Sequence, residues 1–175
     1  ELPIFIKPIN GSSSNDNYII KRKDEISKSI LNNKSLVFFE YLNHDIYDEY
    51  TCDLYYNKLG ELKCVITRKR IEIRAGEVSK SITLKNEVKS FIKEKLSNLK
   101  GARGCVTLQL FSHKVSKEIK GIEINPRFGG GFPLSYLAGG NYPKWIIKEY
   151  LFNKEISYFD AWEENLLMLR YDDEI

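Results

Sequence analysis

Two strand-patterned stretches, residues 49–56 and 62–73, are separated only by Asn57-Lys58-Leu59-Gly60-Glu61. A connection that short, with a glycine where a hairpin needs positive φ, folds the stretches back on each other as a long antiparallel ribbon. Such a ribbon has to bury a face, so the remaining chain must supply strands to extend it and helices to cover it.

The flanking sequence offers both. Residues 36–42 (LVFFEYL) read as a buried strand, and 3–8 as a shorter one running into a small-residue loop at 10–17. Residues 105–111 and 121–125 read as antiparallel neighbours about a polar connection at 112–120, and 166–171 as a final strand. Val88, Phe91, Ile92, Leu96 and Leu99 share one face of a helix over 85–99. Helices are also predicted over 23–32, with Asp24 as its cap, over 133–137 and over 142–152. The class is α+β, antiparallel sheets backed by a few helices.

Composition removes several kinds of function. With 42% hydrophobic and 13% aromatic residues the chain can fold a core, and 27 basic against 24 acidic residues, spread along the sequence, gives little support to nucleic-acid binding. No apolar run approaches a membrane span and the N-terminus lacks a signal-peptide core, so the expected setting is the cytoplasm, with no membrane partner. Cys52, Cys64 and Cys105 are odd in number and have no CxxC spacing, which reads as reduced, buried thiols. Only His44 and His113 are available, which disfavours a zinc site or a Ser-His-Asp triad.

The polar residues with chemical promise lie on strands. Glu123 and Asn125 project from one face of their strand while Ile122 and Ile124 take the other. If that strand pairs with 105–111, Gln109 can join them in an all-oxygen set suited to a hard cation such as magnesium. Two polar residues alone would usually read as the solvated face of an edge strand; the following Asn-Pro-Arg-Phe and Gly129-Gly130-Gly131 tip the balance to the metal reading. Lys7 precedes Pro8 and the loop Gly11-Ser12-Ser13-Ser14, a point charge beside a backbone that can wrap a phosphate, although such loops are often mere connectors. Glu40-Tyr41-Leu42 can offer backbone groups to an adenine edge, and Glu49 a carboxylate to ribose hydroxyls. For some of Arg68, Lys69, Arg70 and Arg74, a solvated strand face is the plainer reading.

Taken in order, KP…GSSS, FEYL, EYTCD, RKRIEIRAGEVSK, Gln109 and EINPRFGGG resemble the ATP-grasp superfamily, especially carbamoyl-phosphate-synthase-like and related carboxylate–amine ligases. The most specific piece is EINPR with a glutamine fourteen residues upstream. The resemblance implies an ATP-grasp fold, with a partial lid subdomain and hinge over 1–42 and a subdomain carrying the metal site over 43–175. It implies that Lys7 contacts the α/β-phosphates under a loop containing Gly11, Ser12 and Ser13. Glu40, Tyr41 and Leu42 would form the adenine hinge, with Glu49, or neighbouring Asp48, on the ribose. Gln109, Glu123 and Asn125 would hold Mg²⁺, or Mn²⁺, while Arg127 and Arg70 face the γ-phosphate and an acyl-phosphate intermediate.

The implied activity is ATP-dependent ligation of a small-molecule carboxylate to an amine-type acceptor. A nucleotide-binding module without turnover and an ATP-grasp-type kinase are the alternatives. Family members carry an N-terminal domain and the first lid strands ahead of a segment such as 4–8, so the chain reads as the back part of a longer enzyme, inactive alone. On that reading residues 1–35 lack their sheet partners and the 11–17 loop is mobile.

Overall fold

The computed structural model describes residues 2–10, 17–74 and 77–171. The chain divides into two compact units, Glu1–Asn43 with Ala75–Glu77, and His44–Arg74 with Val78–Ile175.

In the first unit, β1 (Ile4–Pro8) pairs antiparallel with both β2 (Tyr18–Ile20) and β3 (Leu36–Glu40), in the order β2-β1-β3. The expectation that residues 1–35 lack sheet partners is therefore wrong: Ile6 pairs with Tyr18 on one side and Phe38 on the other. The loop expected at 11–17 falls almost wholly outside the described residues. Instead of one helix over 23–32 there is a 3₁₀ turn, Lys23–Glu25, and a short helix α1, Lys28–Asn32. Ser27, not Asp24, caps α1, its hydroxyl accepting from Ile30 N at 3.3 Å, while Asp24 is held by Arg22. Nor is β3 buried throughout, since Phe38 and Phe39 stand 40% and 42% exposed.

The second unit is built on the predicted ribbon, β4 (Tyr47–Tyr56) against β5 (Leu62–Arg74). Gly60 takes φ +87° in the turn, a conformation that costs glycine little. Asn57 Oδ1 closes the turn by accepting from Leu59 N and Glu61 N. A strand not foreseen from sequence, β6 (Glu77–Thr83), follows β5 in the sheet. Helix α2 (Glu87–Leu96), shorter than predicted, starts at Asn86, whose side chain accepts from Val88 N. It leads to β7 (Gly104–His113), which pairs with β4, and then to β8 (Ile119–Asn125) on the sheet edge. Helices α3 (Phe132–Leu137) and α4 (Tyr142–Tyr150) precede a short last strand, β9 (Leu167–Leu169). The sheet order is β8-β7-β4-β5-β6-β9.

The two faces of this sheet carry different loads. On one, Tyr50, Cys52, Leu54 and Tyr56 of β4 and Val106, Leu108 and Leu110 of β7 form a core with Val88 and Ile92 of α2. On the other, Tyr55, Cys64, Ile66 and Cys105 pack with Phe132, Tyr142 and Trp162. That second apolar patch covers one end of its face only, and polar side chains occupy the other. All three cysteines are free and buried, and burial pushes the Cys64 thiol up to about 12.

Candidate functional site

The polar end of the second face is assembled by strand register. Gln109 of β7 stands opposite Glu123 of β8, and Thr107 opposite Asn125. A register shift beside Gln109 pairs Leu110 with Gly121, so Ile122 is the extra residue. Bulges of this kind re-aim side chains near functional sites. Across β7, Gln109 also faces Thr51 of β4.

The side chains meet. Glu123 Oε1 accepts hydrogen bonds from Gln109 Nε2 at 2.8 Å and from Asn125 Nδ2 at 2.8 Å. Arg70, from β5, donates through Nη1 to Glu49 Oε1 at 2.8 Å and to Gln109 Oε1 at 3.2 Å. Glu49, Arg70, Gln109, Glu123 and Asn125 are thus one connected set drawn from four adjacent strands. Burial lifts the Glu49 carboxyl above its ordinary range, Glu123 adds to that, and Arg70 and His44 pull it back. Of the two carboxylates considered for the ribose, only Glu49 belongs to this set; Asp48 alternates to the opposite face and binds Lys69 Nζ at 2.8 Å.

Beneath the set lies a buried ion pair. Arg68 Nε donates to Asp53 Oδ2 at 2.9 Å, with neither side chain exposed. Ser135 Oγ donates to the same oxygen at 2.6 Å, Thr107 Oγ1 to the other at 3.2 Å, and Tyr142 OH to the Asp53 carbonyl at 2.8 Å. Thr107 Oγ1 also lies 2.8 Å from the Arg127 carbonyl, fastening the segment that follows β8. That segment passes close to the pair at Gly131, where a Cβ would lie 2.3 Å from Arg68 Nη1. The solvated face allowed for the basic run is therefore wrong for Arg68. Asp53, Arg68, Thr107 and Ser135 were not singled out as a network from sequence. Their one signal is the period of two that sets Asp53 and Thr107 in line with Glu49 and Gln109.

Arg127 is exposed and donates through Nη1 to the Phe128 carbonyl at 3.2 Å. In the first unit, Lys7 stands opposite Val37 on β1, with Nζ 5.2 Å from the centre of the Phe39 ring. Glu40 ends β3 opposite Ile4, and Tyr41 and Leu42 follow it half-buried and without regular structure. Gly11, Ser12 and Ser13 lie outside the described residues.

The donor chemistry fits a hard divalent cation. One carboxylate and two amides converge within hydrogen-bonding distance, and each amide has an oxygen to present on turning over. Among the described residues no three His, Cys, Asp or Glu side chains gather. No described helix is long and apolar enough to cross a membrane.

This architecture has known counterparts. The biotin carboxylase domain of Hydrogenobacter thermophilus 2-oxoglutarate carboxylase, solved with MgADP, ADP and bicarbonate, superposes with a TM-score of 0.73 at 15% identity, over 95% of this chain and 40% of that one. N5-carboxyaminoimidazole synthetase from Staphylococcus aureus, solved with ADP, gives 0.65 at 17% identity, over 78% of this chain and 37% of that one. An L-amino acid ligase from Bacillus licheniformis gives 0.60 at 17% identity, over 86% and 39%. The chain spans about two fifths of the length of these structures. No curated protein matches the sequence. The fold is the ATP-grasp fold, as the antiparallel sheets and few helices lead one to expect. Within it, the chain belongs to the family described as ATP-grasp in the biosynthetic pathway with Ter operon, which matches residues 32–172.

Proposed function

We propose that this chain takes part in ATP-dependent ligation of a carboxylate to an amine, holding ATP together with Mg²⁺ or Mn²⁺. The observation that carries the reading is the convergence of Gln109 and Asn125 on Glu123 from paired strands of an ATP-grasp fold. The ADP and MgADP complexes among similar structures support the choice of nucleotide.

Gln109, Glu123 and Asn125 would hold the metal, which when bound neutralises phosphate charge. Lys7 and the Gly11, Ser12 and Ser13 backbone bind phosphate, Glu40 to Leu42 present backbone groups to adenine, and Glu49 is the carboxylate offered to ribose. In the reaction, a substrate carboxylate oxygen attacks the γ-phosphorus and ADP leaves, giving an acyl phosphate. The amine nitrogen then attacks the carbonyl carbon, phosphate departs and the nitrogen loses its proton. Arg127 and Arg70 are the cations proposed to face the developing phosphoryl charge, since phosphoryl transfer depends mainly on positioning and electrostatics.

The test measures ADP release by the full-length protein and by residues 1–175 against a panel of carboxylates, with and without amines and with hydroxylamine as a trap. Hydroxamate formation supports the ligase reading, ADP release with a stable phosphorylated product indicates a kinase, and Mg-ATP binding without turnover indicates a binding module. Because the similar structures are more than twice as long, turnover is expected in a longer protein and negligible in residues 1–175; equal turnover in both would refute that division. Glu123→Gln should abolish magnesium-dependent turnover with the fold retained, and unchanged turnover would remove the metal assignment.

A further inference from the structure

Arg70 approaches the candidate metal cluster from β5 and serves two acceptors with one nitrogen, Glu49 Oε1 at 2.8 Å and Gln109 Oε1 at 3.2 Å. Its side chain is only 10% exposed, and its Nε is buried with no hydrogen-bond partner. The guanidinium is therefore embedded beside the cluster, yet only part of it is satisfied.

The consequence lies in the Gln109 amide. With Oε1 committed to Arg70, the amide presents Nε2 to Glu123, and that bond is made at 2.8 Å. A cation seated on Glu123 requires an oxygen from Gln109, because an N–H group points its positive end at the metal. The same atom, Gln109 Oε1, is thus held by Arg70 and required by a metal. Asn125 poses a smaller obstacle: its Nδ2 also donates to Glu123, at 2.8 Å, and its amide has only to turn over to offer an oxygen.

We propose that Arg70 is the resident counter-cation of this site, and that a divalent cation enters only by displacing Arg70 from Gln109 and turning the amide over. The proposal rests on the assignment of Gln109 and Glu123 as metal ligands. Arg70 pairs with the largely buried Glu49 carboxylate, and its charge and its hold on Gln109 both oppose a cation arriving alone. A cation that brings anionic phosphate oxygens meets less opposition, because those oxygens give the released guanidinium a new partner. The site so arranged discriminates against free metal in favour of the metal–nucleotide complex. Arg70 acts here as a positioning residue, working through Gln109.

The experiment is Mn²⁺ binding without nucleotide, read by electron paramagnetic resonance, for the wild type, Arg70→Met, Glu123→Gln and the double variant. Arg70→Met is expected to bind Mn²⁺ about tenfold more tightly than wild type, and the gain is expected to vanish when Glu123→Gln is added. Arg70→Gln, which removes the charge but keeps a polar side chain near Glu49, should show the same direction if Arg70→Met does not fold. Unchanged or weaker binding in the arginine variants, with Glu123→Gln still lowering wild-type affinity, would overturn the proposal while leaving the metal site standing. Mn²⁺ binding indifferent to Glu123 in every background would overturn the metal site and this proposal together.

Discussion

Asp53 and Arg68 show how much a single position can depend on its partners. Both are wholly buried, and Arg68 leaves Nη1 and Nη2 without partners, so the pair holds its place through Nε, Ser135 and Thr107. Removing one charge from such a pair strands the other in a low dielectric, at a cost of about 3–5 kcal/mol. Arg68→Met should lose stability on that scale in urea unfolding, and Asp53→Asn with Arg68→Met should recover part of it; a single variant within about 0.5 kcal/mol of wild type would contradict the burial. None of this was legible in Arg68-Lys69-Arg70, where a basic run reads as solvated and only pairing with β4 shows which member turns inward. Glu49 has a pH dependence of its own. Its proton is held more tightly folded than unfolded, so its contribution is full below its ordinary value of 4.5 and declines as pH rises through the raised one. The stability advantage of wild type over Glu49→Gln should therefore shrink between pH 4 and pH 7 in urea midpoints. An advantage that grows with pH would mean that Arg70 outweighs burial.

Among the elements, α2 shows what local pattern can and cannot reveal. Its apolar face was readable in the spacing of Val88, Ile92 and Leu96, and in the structure Val88 and Ile92 are fully buried. The start at Asn86 was less plain, because the cap depends on a side chain that also reaches Tyr50 OH at 2.9 Å. Ile92→Ala should cost about 2–5 kcal/mol and Asn86→Ala about 1 kcal/mol, measured by chemical denaturation. The reverse order would show that the helix is held by its cap rather than by its packed face. Strand β6 escaped notice for a physical reason: its inward residues include Ser79 and Ser81, both buried, so the apolar alternation that marks a strand is absent. The β7–β8 pairing was legible because its turn and its polar face were both visible, whereas the bulge at Ile122 leaves no mark in composition. Helix 23–32 was misread because its apolar spacing ignores Ser27, a capping residue in mid-segment.

At the scale of the molecule the two units differ in what they bury. The first unit's buried apolar residues are Ile6 and Ile20 among those described, while the second carries two separate apolar clusters. Opening free energies follow buried apolar contact, so amides of β1 and β3 should exchange hydrogen well before those of β4 and β7. Equal protection by native-state exchange would show that the small sheet draws stability from elsewhere. The alternation along β4 has a consequence for heredity. Tyr50, Cys52, Leu54 and Tyr56 serve the core while Glu49, Thr51 and Asp53 serve the polar face, so the strand is two interleaved texts read at every second codon. Point changes can revise the polar text and leave the other intact. Loss of one codon within β4 would transpose the two, sending carboxylates into the core and leucine and tyrosine into the site. A lineage built on this strand can therefore explore new chemistry by substitution, but not by changes of length.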